Sequence, residues 1–137
     1  MIVIDASVAA AWFVPEAVSD AARHLLDSGQ VLLGPDLLRI EVASALLKAL
    51  RRKMVDEGSA AGSMTRLPRL VALQPSDGYV DAAFGFARSY GGSLYDGIYA
   101  MTARDHGAAL ATNDRALANV ARSAGIQTML LSEHMSP

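Results

Sequence analysis

The stretch Met1-Ile2-Val3-Ile4-Asp5-Ala6-Ser7 decides how this chain reads: a short apolar run ends on a carboxylate. Four more apolar runs follow, at 31–33, 70–73, 108–111 and 126–130. None alternates with polar residues, which is the pattern of parallel strands covered on both faces. Segments with a helical period lie between them. Residues 76–90 show it best, with Tyr79, Ala83, Phe86, Ala87 and Tyr90 in one stripe and Ser76 as the expected N-cap. Residues 36–53 read as one long helix capped by Asp36, and 57–67 as another that Pro68 ends. Gly29, Gly107 and Gly125 stand where helices should stop. The alternation predicts a doubly wound α/β domain over 1–137, without repeats or linkers. In such sheets ligands bind beyond the carboxyl ends of the strands, so the polar residues that fall there matter most.

Composition narrows the chemistry. The 137 residues are 52% hydrophobic and include no cysteine. A disulfide scaffold, a cysteine-ligated metal and a cysteine nucleophile are therefore excluded. Twelve basic and fourteen acidic side chains leave a net charge of −2, which rules out a strongly basic nucleic-acid-coating protein. The charge is uneven: residues 1–35 sum to −3, residues 36–70 to +3 and residues 71–137 to −2. The apolar stretch at 6–14 is far short of the ~20 residues a membrane span needs, and Asp5 rather than a basic run precedes it. A cytoplasmic protein with no membrane association is expected.

Two acids end apolar runs. Asp5 closes the first, and Asp114 closes the fourth in Leu110-Ala111-Thr112-Asn113-Asp114-Arg115. Each also suits the N-cap of a following helix. Glu41 lies among Leu37, Leu38 and Ala45 on a largely apolar helix face, where an unpartnered carboxylate would cost several kcal/mol. A buried partner, an arginine for example, would satisfy it as well as a function would. Asp96, in Ser93-Leu94-Tyr95-Asp96-Gly97-Ile98-Tyr99, has capping-box spacing from Ser93. Tyr95 and Tyr99 read as core packing ahead of base stacking. The three histidines have no metal-binding spacing, and phosphate-cradling glycine motifs and a G-x-S-x-G elbow are missing.

Four carboxylates in one place raise each other's pKa unless a cation joins them. Hard, oxygen-seeking Mg2+ or Mn2+ is the natural counterion, and it would bring a phosphodiester and a water together. Ser7, Thr112 and Asn113 would then hold the acids or their waters from behind. Lys48, Lys53 and Arg115 are candidates for contacts with substrate phosphates, with Arg51, Arg52, Arg66 and Arg69 as further basic surface.

In order along the chain, Ile-Val-Ile-Asp5-Ala-Ser7, Glu41-Val-Ala-Ser-Ala-Leu, Ser93-Leu-Tyr-Asp96-Gly-Ile-Tyr-Ala and Ala-Thr112-Asn-Asp114-Arg-Ala-Leu resemble the PIN-domain family. Its branch of VapC-type ribonuclease toxins is the most similar. The resemblance implies a three-layer α/β/α sandwich around a five-stranded parallel sheet of order 3-2-1-4-5. It implies a Mg2+- or Mn2+-dependent endoribonuclease with Asp5, Glu41, Asp96 and Asp114 as metal-binding acids, and Ser7 and Thr112 as supporting hydroxyls. A homodimer, a cognate antitoxin partner, and tRNA or ribosomal RNA as substrate are implied too. Two other readings stay open: a catalytically silent PIN-like binding module, and a phospho-acceptor receiver. The receiver is the poorer fit, because the third apolar run leads into Gln74-Pro75-Ser76 and no lysine follows.

Overall fold

The computed structural model describes residues 1–135. Five strands, β1 (Ile2–Ile4), β2 (Leu32–Pro35), β3 (Ala72–Gln74), β4 (Ala109–Thr112) and β5 (Thr128–Leu130), form one sheet. The order is β3-β2-β1-β4-β5, as the family resemblance implies, and every pairing is parallel, as the apolar runs predict. Seven helices connect and cover it: α1 (Ala6–Phe13), α2 (Ser19–Asp27), α3 (Leu37–Arg51), α4 (Glu57–Leu70), α5 (Val80–Tyr90), α6 (Leu94–Asp105) and α7 (Arg115–Ser123). Burial follows position in the sheet. All residues of β1 and β2 are buried, whereas the edge strands β3 and β5 are only partly covered. Burial on both faces keeps β1 and β2 free of polar side chains, whereas Gln74 in β3 and Thr128 in β5 sit at the partly covered edges. Strand order reverses across β1, so β1 and β4 open a crevice at their carboxyl ends. Asp5 and Asp114 stand there.

Helix boundaries depart from the sequence reading in two places. Asp36 and Ser76 do not cap the helices that follow them. They trade backbone bonds instead: the Ser76 amide donates to Asp36 Oδ1 at 3.1 Å, and the Leu37 amide donates to Ser76 Oγ at 2.9 Å. The exchange ties the end of β2 to the end of β3, a long-range choice that local capping rules do not weigh. Residues 77–79 consequently form a 3-10 turn ahead of α5. Second, α4 runs through Pro68 to Leu70. Proline in the last turn forfeits one bond and leaves the rest of the helix intact. Buried Leu67, whose carbonyl accepts from the Val71 amide at 3.1 Å, anchors that turn. Gly107 and Gly125 do close helices, with φ of 58° and 79°.

Gly97, inside α6, sets how close α5 can come. A Cβ there would stand 2.6 Å from the Ala83 carbonyl oxygen, which belongs to a helix backbone and cannot swing aside. Gly97→Ala is expected to destabilise the protein by about 1–2 kcal/mol, the overpacking cost of about 1–3 less the gain in helix propensity. Denaturant unfolding measures it; an unchanged or raised midpoint would mean that α5 yields freely.

Candidate active site

Four elements deliver the four acids to one cavity of about 390 Å3. Asp5 ends β1 and is the N-cap of α1, Glu41 lies in the second turn of α3, Asp96 is in the first turn of α6, and Asp114 is the N-cap of α7. The capping readings hold as well. Val8 donates its amide to Asp5 Oδ1, and Ala116 and Leu117 donate theirs to Asp114 Oδ1. Ser93 and Asp96 form a reciprocal capping box, with bonds of 3.0 and 3.1 Å. Capping holds each acid still, and the helix N-termini behind Asp5, Asp96 and Asp114 favour negative charge there. Local structure and site chemistry want the same residues.

Asp5 is the deepest of the four, 5% exposed. Ser7 Oγ donates to its Oδ1 at 2.6 Å and Thr112 Oγ1 to its Oδ2 at 2.5 Å. Each hydroxyl then accepts an amide: Asn113 donates to Ser7 Oγ at 2.7 Å and Asp114 to Thr112 Oγ1 at 2.9 Å. Both hydroxyls are fully used, and they lock the end of β1 to the end of β4. Asn113 contributes through its backbone, and its side chain makes no bond among the described residues. Burial pushes the Asp5 carboxyl up to about 6, against the lowering pull of the Ser7, Thr112 and Val8 hydrogen bonds and with a smaller push from Asp114.

Glu41 has a buried partner, and it is a tyrosine rather than an arginine. Tyr99 Oη donates to Glu41 Oε1 at 2.7 Å. Tyr99 is 2% exposed, and burial, with Glu41 beside it, raises its phenol far above the ordinary range, so it remains a donor. The sequence reading set Tyr99 aside as core. Its spacing of i+3 from Asp96 on one helix put it on the same face, which was the available signal. The basic candidates are spread out. Lys48 lines a groove that shares Ala6, Ser7 and Glu41 with the acid cavity, whereas Arg115 is exposed beside Asp114 at the start of α7. Lys53 lines a separate apolar depression with Phe13, Leu50 and Met54, and is not brought to the acids.

The donor set is all oxygen. Asp96 Oδ1, Asp114 Oδ2 and Glu41 Oε2 accept no hydrogen bond among the described residues, and Asp5 Oδ2 accepts one. That set fits a hard divalent cation better than a soft one. Among the described residues no group of three acids or histidines is gathered closely enough to enclose an ion, so the acids line the cavity as open walls.

A parallel α/β sheet with a carboxylate-lined crevice at the reversal of strand order defines a class of small acidic-site domains. The family model described as PIN domain matches residues 2–123, and the chain belongs to the PIN-domain family. It is 34% identical over 120 residues to Ribonuclease VapC3 of Pyrobaculum aerophilum, covering 85% of this chain and 92% of that protein. Among solved structures, PAE2754 from Pyrobaculum aerophilum aligns with a TM-score of 0.72 at 23% identity, covering 98% of this chain and 91% of that one. VapC20 of Mycobacterium tuberculosis, described as a sarcin-ricin loop cleaving toxin, aligns with a TM-score of 0.69 at 18% identity, covering 92% and 96%. These two likenesses concern the fold.

Proposed function

We propose that this protein is an endoribonuclease toxin of a toxin–antitoxin pair, cutting RNA phosphodiester bonds with Mg2+ or Mn2+ held by Asp5, Glu41, Asp96 and Asp114. The observation that carries the reading is the convergence of four carboxylates from four elements on one cavity, in a chain 34% identical to a ribonuclease. Transfer RNA or ribosomal RNA is the proposed substrate. A homodimer, an antitoxin whose segment covers the acid cavity, and a cytoplasmic setting complete the proposal. Among the described residues no helix is long and apolar enough to cross a membrane.

The bound ion supplies a water of lowered pKa and a positive charge against the departing oxygen. The chain does the rest. Ser7 and Thr112 fix both oxygens of Asp5 and so fix where negative charge sits deepest in the cleft. The capping bonds of Asp96 and Asp114 each occupy one oxygen and leave the other toward the cavity. Tyr99 holds Glu41 in the same manner. Prepaid positioning of this kind is what brings water and phosphate together without further ordering.

Purified protein freed of any partner, incubated with total cellular RNA, is expected to yield discrete fragments with Mg2+ or Mn2+ and none with EDTA. Intact RNA after incubation with the folded, metal-supplied protein would favour the silent binding module. Tyr99→Phe removes the Glu41 hydrogen bond and keeps the ring. Loss of an outer partner of this sort costs about 10–100-fold in metal affinity or activity. A Mn2+ titration read calorimetrically should therefore weaken by about tenfold or more at nearly constant melting temperature. Unchanged Mn2+ affinity would make Tyr99 core packing alone.

A further inference from the structure

Beside the acid cavity lies a groove of about 350 Å3 between α1 and α3, and the two spaces share Ala6, Ser7 and Glu41 in their linings. Small side chains make the groove: Ala6 and Ala10, one turn apart on α1, meet Ala45 on α3. Its rim carries two opposite charges, Glu16 in the loop after α1 and Lys48 one turn past Ala45. They are not paired with each other. The ion pairs among the described residues are Arg23–Asp20 and Arg122–Glu133. An unpaired cation and carboxylate over a smooth apolar floor ask for a ligand that is flat, apolar on its face and polar at its edge.

We propose that this groove is a nucleobase subsite beside the scissile phosphate and that it takes guanine, with Glu16 accepting from N1–H and N2–H and Lys48 donating to O6. The inference rests on the ribonuclease reading and adds to it a base and the residues that read it. Three observations support it. The groove adjoins the acid cavity at Ala6, Ser7 and Glu41, so a nucleotide whose phosphate lies among the acids has its base or its neighbour's base within reach. The volume lies at the lower end of the ~300–1,000 Å3 typical of small-ligand sites, which suits one base rather than a helix. Guanine alone offers a carboxylate two adjacent N–H donors; adenine and cytosine offer one amine, and uracil one imide N–H. Single-stranded RNA presents this edge freely. Partial desolvation raises the Glu16 carboxyl above its usual range, in keeping with a side chain at the groove rather than free in water.

The test uses short single-stranded oligoribonucleotides that span a cut mapped with the wild-type protein. They differ at the positions flanking it, carrying guanosine, inosine, adenosine, cytidine or uridine. Inosine keeps O6 and N1–H and lacks only the N2 amine, so it removes one of the two contacts to Glu16. Cleavage kcat/KM is measured with the wild type, and binding by fluorescence anisotropy with Asp5→Asn, with and without Glu16→Gln. Guanosine is expected to exceed inosine by about tenfold at one flanking position, within the range of a bidentate base contact. Glu16→Gln should erase that difference. Ser44→Phe, placed at the exposed rim, should abolish the guanosine preference without lowering the melting temperature. Equal treatment of guanosine and inosine by a wild-type protein that cleaves would overturn the subsite and leave the nuclease standing. Persistence of the difference in Glu16→Gln would do the same. Failure of the metal-supplied wild-type protein to produce any mappable cut in cellular RNA would overturn the ribonuclease reading, and the subsite with it.

Discussion

Asp5→Asn is expected to lower RNA cleavage by about a hundredfold to a thousandfold while the protein folds as before. The substitution keeps size and shape and removes one negative charge at the deepest point of the cleft, where 5% of Asp5 is exposed. An amide is a poor ligand for a hard divalent ion, and loss of one preorganised group at a reacting centre commonly costs about 10²–10³ in rate. Asp96→Asn should match it in activity. The capping box makes the pair of variants informative: asparagine keeps an acceptor for the Ser93 amide, so the start of α6 survives. Time courses on a mapped RNA substrate give the rates, and circular dichroism checks the fold. If both variants cleave at wild-type rates, the acids are caps and the site assignment fails.

Much of this was legible from residues. The central strands announced themselves because burial on both faces admits only apolar side chains, and β1 and β2 are buried throughout. Asp5 and Asp114 were visible because each follows an apolar run close to the point where a strand must end. Asp96 was ambiguous in sequence for a physical reason: its capping bonds and its place in the cavity are both real. What sequence could not supply was pairing across distance. Tyr99 satisfies Glu41 from 58 positions away, and Asp36 accepts from the Ser76 amide while Ser76 accepts from the Leu37 amide, neither side chain capping the helix that follows it. Local rules rank a serine before a helix as a cap, and only the assembled sheet shows that a neighbouring strand end claims it first. Asn113 illustrates the same limit: the side chain attracted notice, and the backbone amide makes the bond.

The hydroxyl pair explains how so deep a carboxyl is tolerated. Ser7 and Thr112 each donate to Asp5 and accept from the Asn113 and Asp114 amides just after β4, and no buried side-chain polar atom among the described residues is left without a partner. Hydrogen bonds satisfy Asp5 without neutralising it. The remaining cost is electrostatic, and it makes stability depend on pH and on cations.

Metal-free protein in EDTA is therefore expected to become less stable as pH rises from about 4 to about 6. The Asp5 carboxyl moves from 3.8 to about 6 in the folded state, chiefly through burial. Between those values the native protein retains a proton that the unfolded chain has released, so raising the pH favours unfolding. Above about 6 the native carboxyl ionises too and the loss stops growing. At about 1.4 kcal/mol for each tenfold change in the ionisation constant, the full loss is about 3 kcal/mol. Asp5→Asn has no such proton to lose. Its melting temperature should match the wild type near pH 4 and exceed it near pH 7.5 by about 5–10 °C, the altered bonds to Ser7 and Thr112 taking back part of the gain. Adding Mn2+ at pH 7.5 should then raise the wild type toward or past the variant, because a cation bound only by the folded state stabilises it by mass action. Thermal melts at both pH values, with and without Mn2+, give all four comparisons. A melting-temperature difference between the two proteins that does not change with pH would place the cost of Asp5 elsewhere than in its buried charge.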